Sequence, residues 1–166
     1  MLSPAEFVDF YAQVGAKKAR NSTVKLFLAA VLAGFFIGGG GLVSSIASFG
    51  LTNTSVARVV SGLLFPFGLI MVIVTGAELF TGNCLITVSL LEKKATLAGM
   101  VRNLVIVYLG NLVGAAVLAA AVAFSGTFDY LALGVYAIRV AANKCAIPFG
   151  RAVVLGILCN ILVCAG

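Results

Sequence analysis

The chain has 166 residues, of which 62% are hydrophobic and only 10% are charged, and its mean hydropathy is +1.19. Because soluble domains carry about a quarter charged residues, this composition excludes an ordinary soluble domain and predicts an all-α integral membrane protein. The net charge of +6 does not indicate nucleic-acid binding, because the charged residues separate the apolar runs and do not cluster.

Residues 1–25 predict an amphipathic helix on the cytoplasmic side, at the membrane surface or against the helix bundle. Ser3-Pro4-Ala5-Glu6 has the sequence of a capping box, with proline at the first helical position. The apolar side chains that follow recur at helical spacing on one face: Phe7, Phe10, Tyr11 and Val14. No short apolar stretch with a small-residue cleavage site follows, so the segment does not resemble a cleavable signal peptide.

Residues 26–124 predict a first transmembrane repeat of three spans. The predicted elements are a span at about 26–49, a loop at 50–58, an apolar run at 59–91 and a span at about 103–124. Small residues four apart, Gly34 with Gly38 and Gly110 with Gly114, predict close packing of the first and third spans, because they let helix backbones approach.

The second apolar run is too long for one straight helix across a bilayer. It would measure about 50 Å, against a hydrocarbon core of about 30 Å. It must tilt, protrude or break, and the polar stretch Gly76-Ala77-Glu78-Leu79-Phe80-Thr81-Gly82-Asn83 predicts a break. A second half beginning near Asn83 would turn freed N–H groups toward the membrane centre, as in transporters that bind anions. The alternative is one tilted helix with a glycine kink, in which Glu78 bonds to a neighbouring helix.

Residues 125–151 predict a connection on the outer side, and residues 152–166 predict the start of a fourth span. This last run has 15 residues, fewer than the roughly 20 that cross a bilayer, so we expect a fragment that is truncated inside its fourth span. Lys144, in the connection, would raise the local anion concentration at a pore mouth, or it is an ordinary interfacial lysine.

The basic residues predict an N-terminus in the cytoplasm. With that orientation, seven lysines and arginines lie at the inner ends of spans and four at the outer ends. The inner set is Lys17, Lys18, Arg20, Lys25, Lys93, Lys94 and Arg102, and the outer set is Arg58, Arg139, Lys144 and Arg151. The four cysteines lack C-x-x-C spacing and the chain has no histidine, so the sequence predicts no metal site and no cofactor.

Five stretches, in order along nearly the whole chain, resemble the formate/nitrite transporter family. They are S-P-A-E at 3–6, F-P-F-G-L-I at 65–70, G-A-E-L-F-T-G-N at 76–83, V-Y-L-G-N-L-V-G at 107–114 and G-I-L-C-N-I-L-V-C at 156–164. The resemblance implies an aquaporin-like bundle of six spans in two inverted repeats, of which about three and a half are present here. It also implies one pore per protomer, a homopentamer and a multi-pass location in a bacterial-type cytoplasmic (inner) membrane.

The same resemblance implies roles for individual residues. The pore constrictions would be lined by Phe65, Leu69, Leu79, Phe80 and Val163. The anion would be bound by Thr81, Lys144 and Asn160. The loop at the break would be braced by Glu78, Gly76, Gly82 and Asn83. The family also has a histidine on a broken fifth span, which this chain does not contain.

The sequence therefore predicts a channel or transporter for small monovalent anions of the formate, nitrite or hydrosulfide class, passive or proton-linked, and not an enzyme. Its partners would be the anion, a proton in the coupled case, membrane lipid and further copies of the chain, without nucleic acid. Three alternatives remain open at this point. They are an aquaporin-like channel for neutral solutes, an intramembrane thiol enzyme that uses Cys84 with Glu78, and a non-conducting packing subunit. The absence of an Asn-Pro-Ala motif counts against the first.

Overall fold

A computed structural model describes residues 3–165, except the side chains of Pro4 and Ala165, and this part of the chain folds into nine α-helices. The helices are α1 (Pro4–Ala19), α2 (Thr23–Ser48), α3 (Thr54–Leu64), α4 (Pro66–Thr75), α5 (Phe80–Asn83), α6 (Ile86–Leu91), α7 (Leu97–Phe124), α8 (Leu133–Cys145) and α9 (Phe149–Ala165). Three stretches are long and apolar enough to cross a membrane: α2, α3 with α4, and α7. Helices α8 and α9 are bent by 104° and would make a fourth span if counted together.

Helices α2 and α7 pack closely at the centre of the bundle. A Cβ atom added to Gly114 would lie 1.9 Å from the backbone oxygen of Val31, and one added to Gly34 would lie 2.0 Å from that of Asn111. Leu26, Ala30 and Val107 form the buried apolar cluster at this contact. The small residues predicted to mediate close packing therefore bring the two backbones together, as is common between helices in lipid.

Two helices begin earlier than the sequence reading predicts, because side chains cap them. The Asn53 side chain accepts hydrogen bonds from the N–H groups of Ser55 and Val56, so α3 begins at Thr54, inside the loop predicted at 50–58. The Thr96 hydroxyl accepts from Gly99 N, so α7 begins at Leu97 and not near Asn103. Hydropathy alone places both starts too late, since each first turn is partly polar.

The flanking segments also differ from their predicted bounds. The amphipathic helix ends at Ala19 and α2 begins at Thr23, so the predicted boundary at residue 25 falls inside α2. The connection predicted at 125–151 contains a 3-10 turn at Thr127–Asp129 and the helix α8. Hydropathy does not reveal α8, because its residues are a mixture of polar and apolar ones. Helix α9 begins three residues before the predicted start at 152. Met1, Leu2 and Gly166 lie outside the described residues.

Helix α1 lies against α6 with a face that overlaps its predicted apolar face only in part, because Tyr11 and Val14 are partly buried near α6. The capping box is present, with Ser3 N donating to Glu6 Oε2 at 2.7 Å and Glu6 N donating to Ser3 Oγ at 3.3 Å. Phe7 and Phe10 stay about half exposed. The residues buried against the bundle are instead small: Ala12, Gly15 and Ala19. Small residues occupy this contact because the two helices approach closely there.

An ion pair between Lys94 and Asp9 ties α1 to the turn after α6. Its hydrogen bond and charge lower the pKa of the Asp9 carboxyl below its usual range. Lys94 is 35% exposed and Asp9 is 60% exposed, so solvent around the carboxylate screens this contact and keeps it weak. The closer attachment of α1 is made elsewhere, at its buried C-terminal half.

We predict that Gly114→Val destabilises the bundle, because the new side chain must push the backbone of α2 away. Overpacking of this kind costs about 1–3 kcal/mol. Thermal unfolding of the purified protein in detergent measures the loss, with Gly39→Val as the matched control, since a Cβ added at Gly39 meets no atom within 4 Å. Equal melting temperatures of the two variants would contradict the close approach of α2 and α7.

Candidate functional site

The second apolar run is interrupted between α4 and α5. Gly76 ends α4 with a φ of 65°, a left-handed conformation that glycine adopts without strain. Residues 77–79 are not helical, and the chain re-enters a helix at Phe80, three residues before the predicted position near Asn83. The second half is itself divided, because a turn at residues 84–85 separates α5 from α6. A single tilted helix with a kink is therefore not what the chain forms.

Asn111, on α7, holds the interrupted segment in place. Its side-chain nitrogen donates to the backbone oxygens of Ala30 at 2.8 Å and Glu78 at 2.9 Å. Its side-chain oxygen accepts from Phe80 N at 3.0 Å. The Glu78 N–H in turn donates to the backbone oxygen of Ala29 at 3.2 Å. One asparagine thus satisfies backbone groups on both sides of the break, as non-helical backbone inside a membrane requires.

A closed ring of polar side chains fixes the other end of the segment. The Lys18 ammonium donates to Glu78 Oε2 at 2.7 Å and to Asn83 Oδ1 at 2.9 Å. Asn83 Nδ2 donates to Asn103 Oδ1 at 2.8 Å, and Asn103 Nδ2 returns to the backbone oxygen of Lys18 at 2.9 Å. Glu78, Asn83 and Asn103 are all buried. The ring joins α1, the break and α7.

The sequence reading missed three members of this arrangement. It treated Lys18 as a marker of topology, and it gave Asn103 and Asn111 no role. Both asparagines lie in an otherwise apolar span, and a polar side chain in such a position indicates a hydrogen-bonding role because it needs a partner within the protein. For Glu78, which the family resemblance implies braces the loop, the partner of the carboxylate is the ammonium group of Lys18.

Three predicted lining residues lie at the break itself. Leu79 and Thr81 are partly buried. Phe80 packs against the central apolar cluster and meets Tyr108 edge to face, with ring centroids 5.7 Å apart. A Cβ added at Gly82 meets no atom within 4 Å, so the backbone here borders open space. In the described part of the chain, the N–H groups of Thr81 and Gly82 have no hydrogen-bond acceptor.

The end of α9 also contacts the break. The Cys164 thiol donates to the backbone oxygen of Thr81 at 3.4 Å, next to the partly buried Val163. One turn earlier, Asn160 has a buried side-chain oxygen that accepts no hydrogen bond from the residues described. The structure therefore gathers the predicted residues of the α9 motif beside those of the break.

Other predicted residues lie apart from this group. Phe65 joins α3 to α4 and is about half exposed, and the ten residues of α4 separate it from the break by about 15 Å. Leu69 is partly buried on α4. Lys144 is exposed in the last turn of α8, with no side-chain hydrogen bond among residues 3–165. The structure does not bring Phe65 to the residues at the break.

The predicted thiol and carboxylate of an enzyme are engaged with other partners. The Cys84 thiol donates to the backbone oxygen of Phe80 at 3.4 Å. The Glu78 carboxylate is paired with Lys18. A general base must lie within hydrogen-bond reach of the thiol that it activates, and this arrangement does not pair the two groups.

Comparison with known proteins finds relatives along nearly the whole chain. The family model described as Formate/nitrite transporter matches residues 5–166. The chain is 35% identical to the formate channel FocA of Haemophilus influenzae (strain ATCC 51907 / DSM 11121 / KW20 / Rd) and 33% identical to FocA of Escherichia coli (strain K12). These alignments cover 98% and 99% of this chain and 59% of each relative. The chain thus spans about three fifths of the length of these relatives.

A solved structure described as an FNT family ion channel has the same arrangement of helices. It superposes with a TM-score of 0.67 at 28% sequence identity, over 72% of this chain and 49% of that chain. The match agrees with the resemblance carried by the five sequence stretches.

We predict that Asn111→Leu destabilises the protein by about 3 kcal/mol or more. The substitution keeps the branched shape of the side chain but leaves several backbone groups unpaired, at about 1–3 kcal/mol each. Denaturant or thermal unfolding in detergent measures the change. Asn143→Leu, at an exposed position of α8, is the control, and similar stability of both variants would exclude a bracing role for Asn111.

A double-mutant cycle tests the contact between Lys18 and Glu78. We expect a coupling energy of about 1–2 kcal/mol between Lys18→Met and Glu78→Gln, because the two side chains are only 31% and 10% exposed. The more exposed pair of Lys94 with Asp9 is the control, and its coupling should be near zero. Additive effects at Lys18 and Glu78 would show that the ring does not act as a unit.

Proposed function

Because the chain belongs to the formate/nitrite transporter family, we propose that it builds part of a pore for small monovalent anions. The proposed class includes formate, nitrite and hydrosulfide. The observation that carries this proposal is the interrupted second span, whose backbone at the break borders open space. A break of this kind in lipid is tolerated where it is buried in protein or lines a water-filled cavity. Here Asn111 supports it on the α7 side, and in this proposal its open side would line the pore.

In the proposed pore, apolar side chains at the break form one constriction. Leu79, Phe80 and Val163 would narrow the path together with Leu69 on the cytoplasmic side and exclude hydrated ions. Phe65 would line a second constriction on the outer side. The position of the α9 end against Thr81 supports the first of these groupings. A small anion crossing such a constriction loses most of its water.

Polar groups of the protein would offset part of the free energy that the anion loses with its water. We assign this role to the Thr81 hydroxyl, to the side-chain amide of Asn160 and, nearer the outer mouth, to Lys144. The N–H groups of Thr81 and Gly82 are additional donors beside the same open space. All of these groups would favour a negative charge over a neutral solute of the same size.

The ion pair of Glu78 explains how a carboxylate can lie so close to an anion path. Lys18 compensates its charge at 2.7 Å, so the pair has no net charge to repel the anion. Gly76, Gly82 and Asn83 complete the loop that this pair braces. In this proposal the bracing residues keep the constriction rigid and do not contact the anion.

We further propose the assembly and membrane placement that the family resemblance implies. The chain would contribute the first repeat of an aquaporin-like protomer, with residues 1–25 in the cytoplasm, 26–124 as three spans, 125–151 outside and 152–166 in a fourth span. The protomers would form a homopentamer in a cytoplasmic membrane. Passive transport and proton-coupled transport both fit the proposal.

Flux measurements with the native protein in liposomes test the proposal. We expect formate and nitrite to enter faster than an uncharged solute of similar size, and Thr81→Val to slow formate about three- to tenfold, since a neutral hydrogen bond contributes about 1 kcal/mol. Thr87→Val, at an exposed position of α6, should leave formate flux unchanged. Lys144→Glu should also lower formate flux, through repulsion at the mouth.

Two outcomes would contradict this function. Equal permeation of formate, nitrite and the neutral solute, with no effect of Lys144→Glu, would favour a channel for neutral solutes. Loss of activity on replacing Cys84 by serine, with intact folding, would favour thiol chemistry. Undiminished anion flux in that variant supports the channel.

A further inference from the structure

A polar face of α3 lines a second cavity, distant from the break. Thr54, Arg58 and Ser61 are four and three residues apart, which places them on one side of the helix. All three border a cavity of about 670 Å³, together with Ser48 of α2 and Tyr136 of α8. Because α3 belongs to a stretch apolar enough to cross a membrane, a polar face on it indicates contact with water or a solute.

The hydroxyl groups of Ser48, Ser61 and Tyr136 on the cavity wall are held in place by one another and by the buried Ser44 behind them. The Ser44 and Ser61 hydroxyls are 2.5 Å apart, and Ser44 Oγ also lies 3.2 Å from the backbone oxygen of Ser61. Ser48 Oγ donates to the backbone oxygen of Ser44 at 2.8 Å and lies 3.4 Å from the Tyr136 hydroxyl. These bonds fix α2, α3 and α8 around the cavity.

Arg58 supplies the charge of this site. Its guanidinium has no hydrogen-bond or ion-pair partner in the described part of the chain, and no residue lining the cavity is acidic. The Thr54 hydroxyl is likewise without a recorded partner in residues 3–165. A guanidinium offers two parallel N–H donors to a planar carboxylate or similar oxyanion. The cavity thus has hydrogen-bond donors that are not used within the protein, and no acidic side chain that would compete with an anion for them.

We propose that this cavity binds a small carboxylate or oxyanion through Arg58, with Thr54 and the Ser61 wall as further hydrogen-bonding groups. The inference rests on the proposed anion transport and adds a second binding site to it. Arg58 precedes Gly76 by 18 residues, about 27 Å along a helix, so this site is separate from the break. The cavity is larger than one such anion, which therefore keeps part of its water and binds weakly. Its position beside Phe65 would load anions before the outer constriction.

Kinetics of formate uptake into liposomes test the role of Arg58. We expect Arg58→Gln to raise KM about three- to tenfold with little change in the maximal rate, because the group acts before the constrictions and is solvent-exposed. Arg139→Gln, on α8 and outside the cavity lining, should behave as the unsubstituted protein. Arg58→Lys should be intermediate, since it keeps the charge and loses the paired donors.

A field effect without binding predicts a different pattern. If Arg58→Lys restores KM fully, and the effect of Arg58→Gln disappears at high ionic strength, only a surface field acts and the proposed site is wrong. Equal effects of Arg58→Gln and Arg139→Gln would overturn it as well. Gly62→Leu provides a second variant, because a Cβ at Gly62 meets open space and the longer side chain would occupy part of the cavity next to Arg58. Unchanged KM in that variant would also count against the site.

A binding measurement separates this inference from the proposed transport. Phenylglyoxal modifies exposed arginines, and mass spectrometry can follow Arg58 and Arg139 in the same sample in detergent. We expect formate to slow the modification of Arg58 and not that of Arg139. If formate protects Arg58 but the protein does not transport formate, the transport function is refuted and the binding site is supported. Transport without protection would refute the site and leave the function standing.

Discussion

The structure depends on one constraint, which is that backbone polar groups inside a membrane must find partners within the protein. Interrupting the second span frees several such groups, and Asn111 on the neighbouring α7 satisfies two of them, the carbonyl of Glu78 and the N–H of Phe80. The asparagine reaches both Ala30 and Glu78 only because α2 and α7 lie in close contact at Gly34 and Gly114. Close packing by small residues and the polar support of the break are therefore parts of the same arrangement. A bundle with larger residues at this contact would lose the hydrogen bonds as well as the packing.

Charge compensation imposes a second requirement on the same segment. A buried carboxylate is costly unless a cation accompanies it, and Lys18 provides that cation from outside the spans. Since Lys18 lies on α1, the surface helix becomes a structural component of the break and not only an anchor. Its burial of Gly15 and Ala19 against the bundle holds the ammonium in reach. The polar ring then extends the connection to Asn103, so movement of α1 would disturb α7 and the break together.

The sequence allowed the break to be located but not the residues that support it. Length arithmetic on residues 59–91 is a local argument, and it placed the interruption at the polar stretch that the structure also breaks. The pairing of Lys18 with Glu78 joins residues 60 positions apart, and no local pattern assigns such a partner. Asn53 and Thr96 are capping residues that mark the starts of α3 and α7. The predicted starts followed hydropathy instead and were therefore too late. The spacing of polar residues on α3 was likewise available in the sequence, whereas the cavity that they line needs α2 and α8 in place.

Two polar regions lie at the two ends of a short apolar helix. Helix α4 has ten residues and no charge, and it lies between the Arg58 cavity and the break. In the proposed pore, an anion would exchange water for protein donors at each end and cross the apolar stretch in between. Such a crossing is rapid only if neither end binds tightly, because tight binding at one end would trap the anion there. The exposed guanidinium of Arg58 and the neutral donors at Thr81 are both weak-binding chemistries, so the arrangement favours flux over retention. A buried, fully desolvated arginine at either position would have the opposite effect.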